Sequence, residues 1–256
     1  MTNATSDERN PIKSYKILYE HYRTVAYERA NPFRPEDAIR EMDSNFGRVL
    51  PTNFDARILD VGCGMGQFLH YLKSKGYRDL MGVEISPEQV EFCQRNVTPN
   101  VMLTSDTVSF LTERPASWDC ILLKDVIEHL PRRQVIPTLS AIFAALVPGG
   151  TVIIETGNMA SASGAYMRYI DFTHESGFTE ISLQQVLRAV GFDQIEVSGN
   201  SPFIYSWRSY LRVALLRTWQ GFRRLIFRLE RGWDAAPQVL SQVLIAQARR
   251  PREESQ

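Results

Sequence analysis

The chain has 256 residues, of which 44% are hydrophobic and 23% are charged, and its 29 basic residues balance its 29 acidic ones. These values are typical of one large globular domain with a substantial core, and a net charge of zero excludes a global attraction to nucleic acid. The sequence contains no apolar run of about 18 residues that would cross a membrane and no N-terminal signal-peptide pattern. Three cysteines without paired or metal-ligand spacing indicate reduced thiols, so we expect a cytoplasmic protein.

Short apolar runs alternate with segments of helical period, which is typical of a parallel sheet with crossover helices. The predicted strands are Arg57–Val61, Leu80–Glu84, Val101–Thr104, Cys120–Lys124, Thr151–Glu155, Gln194–Ser198 and Val239–Ala246. The predicted helices are Gly66–Lys75, Pro87–Asn96, Thr107–Thr112, Arg133–Leu146 and Ser182–Val190. Ser86 is the expected cap of the helix that starts at Pro87.

A strand, a glycine-rich turn and a helix follow one another in the stretch ILDVGCGMGQFLHYL, residues 58–72. Such a turn places backbone N–H groups and the positive end of a helix dipole at the carboxyl edge of the sheet, where cofactors bind. The spacing G-x-G-x-G differs from the G-x-G-x-x-G of dinucleotide sites. Asp60 precedes the turn and would repel phosphate but attract a cation. The alternative is a tight turn without a ligand.

Two further acids follow the next predicted strands. Glu84 ends the second strand, where a carboxylate accepts hydrogen bonds from ribose hydroxyls. Asp106 follows the third strand, where an acid could accept a hydrogen bond from an adenine amine. The three acids together predict a ligand with an adenine, a ribose and a cationic end, and without phosphate.

The sequence contains five motifs, which are, in chain order, LDVGCGMG, GVEIS, SD, WDCILLKDVIEHL and LVPGGTVIIE. Residues 57–198 resemble the class I S-adenosylmethionine-dependent methyltransferases, because these motifs occur in the order and at the intervals of that family. The resemblance implies an α/β fold with a doubly wound, seven-stranded, mostly parallel sheet whose last strand is antiparallel. It implies S-adenosyl-L-methionine as the cofactor. The cofactor-binding residues that it implies are Asp60, Gly62, Cys63, Gly64, Gly66, Glu84, Ile85, Asp106, Lys124 and Asp125.

Two segments lie outside the alternating pattern and suggest a domain division. We predict an N-terminal helical cap over residues 1–50, a methyltransferase core over 51–198 and 237–250, and an amphipathic, arginine-rich helical insertion over 199–236, before the last strand. Extensions of the first kind fold over the cofactor as a lid in the family. The residues expected to contribute to that lid are Tyr15, Tyr19, Tyr22 and Arg23.

Methyl transfer to a hydroxyl group requires a base, for which histidine is the usual residue near neutral pH. His174 follows the fifth strand and is the first candidate, with Asp171 as the residue that would orient it; a structural role is the alternative. His129 follows the fourth strand and either borders the pocket or caps a helix. The spacing of Asp171, His174 and Glu175 is unsuited to a metal ion, so we predict no metal site.

The segment DFTHESGFTEISLQQVLRAVGF, residues 171–192, resembles one found in methyltransferases linked to bacterial cell-surface polysaccharides. This resemblance implies O-methylation of a surface polysaccharide or of its sugar or phosphate terminus. One alternative is a small-molecule acceptor of quinone or polyketide type. Another is a cofactor-binding assembly partner without activity.

Residues 207–233 form a predicted amphipathic helix with seven arginines and a single acid, Glu230. Arg217, Arg224, Arg228 and Arg231 are predicted to point away from its apolar stripe, and Arg208, Arg212 and Arg223 to flank it. An arginine-rich helix with tryptophan at both ends suits the surface of an anionic membrane, here the inner membrane face. The alternatives are packing on its own domain, a homodimer contact, or binding of acceptor phosphates. The apolar stripe consists of Trp207, Leu211, Leu215, Phe222, Leu225, Ile226, Leu229 and Trp233.

Overall fold

The computed structural model describes residues 16–22, 24, 35–202, 204–233 and 236–252. In these ranges the strands are β1 Ile58–Val61, β2 Leu80–Glu84, β3 Val101–Leu103, β4 Trp118–Lys124, β5 Leu146–Gly157, β6 Asp193–Gly199 and β7 Val243–Arg249. The α-helices are α1 Lys16–Glu20, α2 Pro35–Phe46, α3 Gln67–Lys75, α4 Pro87–Asn96, α5 Thr107–Thr112, α6 Arg132–Ala145, α7 Gly164–Tyr169, α8 Glu180–Val190 and α9 Trp207–Arg231. A short 3₁₀ turn spans Ile127–His129.

The strands form one seven-stranded sheet in the order β3-β2-β1-β4-β5-β7-β6. Strands β1 to β5 are parallel, and β7 is antiparallel to both of its neighbours. Adjacent antiparallel strands need no crossover over the sheet, so the connection from β6 to β7 is free to carry the long helix α9. The predicted fold class is confirmed, including the helical insertion before the last strand.

The central strands are buried on both faces, which explains their nearly continuous apolar sequence. Leu59 and Val61 of β1 belong to a core that also contains residues of α6 and α8, whereas Ile58 packs with residues of α3 on the other face. This alternation follows the period of two in a strand. Because β1 and β4 are central and parallel, the loops that follow them lie side by side at one edge of the sheet.

Local polar groups change one predicted helix start and the predicted capping of another helix. Helix α8 begins at Glu180 instead of Ser182, because Thr179 and Ser182 form a capping box. Ser86 occupies the N-cap position of α4, as predicted, but its side chain makes no capping hydrogen bond. Its backbone N–H donates instead to the carboxylate of Glu84 at 2.9 Å, so Glu84 organises this turn.

Candidate functional site

The glycine-rich loop connects β1 to the N-terminus of α3. Gly62, Gly64 and Gly66 have φ angles of 70, 55 and 83°, in the left-handed region that glycine adopts readily. A Cβ atom at Gly62 would lie 2.5 Å from a methyl group of Val126, and one at Gly66 would lie 2.2 Å from the sulfur of Cys93. The loop therefore requires these glycines for its own conformation and packing, whether or not a ligand approaches it.

Glu84, at the end of β2, holds this loop in place. Its buried carboxylate accepts hydrogen bonds from the backbone N–H groups of Gly64, Ile85 and Ser86 at 2.8–2.9 Å. Burial raises the pKa of Glu84, and these three hydrogen bonds oppose that shift. A carboxylate has about four lone-pair sites, so capacity for one further donor remains at the predicted ribose position. Sequence reasoning did not foresee the contact between Glu84 and the loop.

Asp60 carries an unpartnered polar atom next to the glycine loop. The residue is 2% exposed, and Oδ2 has no hydrogen-bond partner among the described residues. Burial raises the pKa of Asp60 to about 8, and the positive charge of Lys124 opposes this rise. An unpaired polar atom in the interior is costly. The site therefore fits a ligand that brings a cationic group to Asp60, such as an amino-acid ammonium.

Lys124 ends β4 beside the glycine loop, and Asp125 follows it. The ammonium group of Lys124 lies 2.5 Å from the carboxylate of Asp125 and 2.8 Å from that of Glu155. Asp125 has a φ of 54°, which is unusual for a residue other than glycine. Such backbone conformations cost on the order of 1–3 kcal/mol and cluster at functional sites. The strain thus lies at a residue that the resemblance implies to be cofactor-binding.

Two predicted cofactor-binding residues have local roles in the structure. Asp106 is the N-cap of α5, and its carboxylate accepts hydrogen bonds from the N–H of Ser109 at 3.0 Å and from its hydroxyl at 2.7 Å. The first of these lowers the pKa of Asp106. The sulfur of Cys63 packs against Gly82 in the core, which leaves only its main chain for a ligand. The adenine contact of Asp106 stays a prediction.

A chain of hydrogen bonds links Asp171 to His129 through Thr173. The hydroxyl of Thr173 donates to Asp171 Oδ1 at 2.7 Å and lies 2.8 Å from Nδ1 of His129. Since a hydroxyl has a single proton, Nδ1 of His129 must carry its own proton, and Nε2 is left with a free lone pair. Asp171 was predicted to orient His174, but its side chain is linked through Thr173 to His129 instead.

His174 and His129 form a pair, with ring centroids 4.7 Å apart. Nδ1 of His174 lies 2.9 Å from the carbonyl oxygen of Met167, which can only accept a hydrogen bond, so Nδ1 carries a proton and, in the neutral ring, the lone pair is on Nε2. Burial, followed by the nearby charge of His174, lowers the pKa of His129 to about 4. His129 is therefore neutral at neutral pH. In the described part of the chain, no cluster of three or more His, Cys, Asp or Glu residues could hold a metal ion.

A small open cleft lies next to His174. Glu128 lines it and is buried, and burial raises the pKa of Glu128 to about 8. The main-chain carbonyl of Glu128 accepts hydrogen bonds from the N–H groups of Glu175 and Ser176, which fixes the loop that carries His174. Of the adjacent residues Glu128 and His129, only His129 was predicted to have a functional role. The lining residues are Glu128, Gly157, Met159, Met167, Arg168, His174 and Ser176.

Tyr22 and Thr24, from the described part of the N-terminal segment, contact this region. The hydroxyl of Tyr22 donates to Asp171 at 2.5 Å, and Thr24 contacts Glu88 at the start of α4. Burial raises the pKa of Tyr19 to about 12, and both Asp171 and Glu84 add to the shift. Tyr19 therefore lies near both the predicted acceptor region and the predicted cofactor region, as a lid residue would. Tyr15 and Arg23 lie outside the described residues.

Comparison with known sequences identifies related proteins. A family model described as a methyltransferase domain matches residues 33–197. A ubiquinone biosynthesis O-methyltransferase from Xanthomonas campestris pv. campestris is 28% identical over 114 residues, covering 43% of this chain and 46% of that protein. A carboxy-S-adenosyl-L-methionine synthase from Desulforapulum autotrophicum is 30% identical over 146 residues, covering 52% and 58%. The chain thus spans about half the length of the curated relatives it matches.

Comparison with solved structures supports the same fold. A SAM-dependent methyltransferase from Archaeoglobus fulgidus aligns with a TM-score of 0.62 and 19% sequence identity, covering 92% of this chain and 99% of that one. At this level of identity the likeness concerns the fold. The glycine loop, Asp60 of β1 and Glu84 of β2 therefore lie on a scaffold shared with that enzyme.

Proposed function

The chain belongs to the methyltransferase domain family, and from this premise we propose that it is an S-adenosylmethionine-dependent O-methyltransferase with a small hydroxyl-bearing acceptor. One observation carries the proposal: Asp60 presents a buried, unpartnered carboxylate oxygen beside the glycine loop. The ammonium group of the cofactor's methionine moiety would pair with that oxygen. Glu84 would accept a hydrogen bond from a ribose hydroxyl, and Asp106 would accept one from the adenine amine.

Two observations bear on the acceptor class. The sequence segment 171–192 pointed to a surface polysaccharide, whereas the relative from X. campestris is named for ubiquinone biosynthesis, which favours a small molecule. The cleft next to His174 is lined by Met159 and Met167 together with polar groups. A mixed lining of this kind suits an apolar ring that carries a hydroxyl group. A polysaccharide is the second candidate.

The residues around the cleft suggest how a hydroxyl would be activated. S-adenosylmethionine, when bound, supplies a methyl group on a positively charged sulfur. Nε2 of His174 would accept the proton of the acceptor hydroxyl, while the acceptor oxygen bonds to the methyl carbon and the electron pair of the broken C–S bond stays on sulfur. His129 stays neutral beside it, which avoids a second positive charge. The lid residues Tyr19 and Tyr22 would exclude water.

The acceptor class is tested by incubating the protein with S-adenosylmethionine labelled in the methyl group. We expect label in hydroxyl-bearing aromatic compounds such as dihydroxybenzoates and polyprenyl phenols, and none when the His174→Gln variant is used. Label found only in polysaccharide fractions would support the second candidate and contradict the proposal. Tight cofactor binding without labelling of any fraction would favour the assembly partner without activity.

A further inference from the structure

Helix α9 packs on the rest of the protein along one side only. Ser209 and Val213 are buried, and the guanidinium groups of Arg223 and Arg224 donate to the carbonyl oxygens of Ala160 and Gln238 at 2.9 and 2.8 Å. Arg224 was predicted to point away and Arg223 to flank the stripe; both instead attach the helix to the protein body. A capping box formed by Ser206 and Ser209 defines where the helix begins.

The apolar stripe of α9 faces away from the protein body. Leu211 and Leu215 are each two positions from the buried Val213, which places them about 200° around the helix from it. All members of the stripe are between 37% and 73% exposed. An apolar surface this long and continuous is rare on a protein without a binding partner there. We call it the outward stripe; its members are Trp207, Leu211, Leu215, Phe222, Leu225, Ile226, Leu229 and Trp233.

Five arginines on α9 make no hydrogen bond to the body among the described residues. No acid in that part of the chain pairs with them, and the helix carries only Glu230 as a negative charge. The guanidinium of Arg208 lies 5.5 Å from the ring of Trp207, and that of Arg228 lies 5.8 Å from the ring of Trp233. A guanidinium group thus lies close to the tryptophan ring at each end of the helix. The five are Arg208, Arg212, Arg217, Arg228 and Arg231.

We propose that α9 lies flat on an anionic lipid bilayer, with the outward stripe at the acyl boundary and Arg208 and Arg212, which border it, on lipid phosphates. Arg217, Arg228 and Arg231 lie on the other side of the helix and add positive charge close to the membrane surface. A second copy of the chain fits less well, because two-fold pairing along the stripe would bring the same arginine-rich borders together, with Glu230 as the one acid of the helix. No helix among the described residues is long and apolar enough to span a membrane. The proposal does not depend on the identity of the acceptor.

Vesicle flotation tests the proposal with the full-length protein. We expect binding to vesicles of phosphatidylglycerol and phosphatidylcholine and none to phosphatidylcholine alone. Each arginine near an anionic surface contributes about fivefold in partitioning, so R212Q/R217Q/R228Q is expected to bind about 100-fold more weakly. Arg223 and Arg224 are left intact because they hold the helix on the protein. The matched control removes three exposed arginines elsewhere: R78Q/R95Q/R188Q, which should bind nearly as well as the original protein.

The contribution of the outward stripe to vesicle binding is tested separately. L215S/L229S should also lose vesicle binding, whereas I136S/I181S, which alters exposed residues of α6 and α8, should retain it. Circular dichroism and thermal unfolding would verify that all variants fold. Failure of the original protein to bind anionic vesicles would overturn the proposal. So would a dimer in analytical ultracentrifugation that L215S/L229S dissociates, since the stripe would then be a subunit interface.

Discussion

The His174→Ala variant is expected to turn over about 10²- to 10⁴-fold more slowly, the usual contribution of a general base, with the affinity for S-adenosylmethionine unchanged. The reason is that Nδ1 of His174 donates to the carbonyl oxygen of Met167, so the basic lone pair of the neutral ring is on Nε2, at the cleft. Asp60 and Glu84 lie outside this cleft lining, so cofactor binding should survive. Single-turnover kinetics and calorimetric titration would measure the two effects.

A structural role for His174 predicts a different pattern. The His174→Gln variant has an amide N–H that can still donate to Met167 but has no basic nitrogen, so it should be as slow as the alanine variant. Added imidazole should partly restore turnover to the alanine variant. The control variant His70→Ala, which removes a histidine from α3, should turn over as fast as the original protein. Full activity of the glutamine variant would remove His174 from the mechanism.

The Asp60→Asn variant is expected to bind S-adenosylmethionine at least about 30-fold more weakly, because removing one partner of a buried charge pair costs 2–5 kcal/mol. The affinity of the original protein should rise as the pH increases toward 8. The pKa of Asp60 is raised to about 8, so below that pH the carboxyl must lose a proton before it can pair with an ammonium group. The variant should lose this pH dependence. Titration calorimetry between pH 6 and pH 8.5 would measure it.

The same substitution should stabilise the protein without cofactor. The folded-state pKa of Asp60 lies above its unfolded value, so Asp60 lowers the free energy of unfolding progressively as the pH rises from about 4 to about 8. Asparagine has no charge to bury, and the difference in stability between variant and original should therefore grow over this range. Asp119→Asn is the control, because Asp119 pairs with Arg57 and its pKa is lowered. It should destabilise the protein at neutral pH and leave cofactor affinity unchanged.

The sequence predicted the sheet well because its strands are buried on both faces. A strand such as Ile58–Val61 is therefore apolar apart from Asp60, and the crossover helices between strands alternate buried and exposed positions at helical period. Asp60 and Glu84 could be singled out for a related reason, since each interrupts or ends an apolar run at the carboxyl edge of the sheet.

The side-chain partners at the site could not be predicted in the same way. Asp171 and His174 are close in sequence, but the contact that Asp171 makes through Thr173 is to His129, 44 residues from Thr173. That contact depends on how the loop after β5 folds back on the 3₁₀ turn. The side of α9 that faces the protein could not be predicted either, because Arg223 and Arg224 are charged and yet attach the helix to the protein body.

Titration calorimetry of the purified protein with two ligands tests the central claim most directly. The claim is that the edge of the sheet next to the glycine loop receives an adenosyl amino acid that has no phosphate. We expect S-adenosylmethionine, and its demethylated product, to bind with one molecule per chain, and NAD to give no heat of binding. Binding of NAD together with indifference to S-adenosylmethionine would contradict the account.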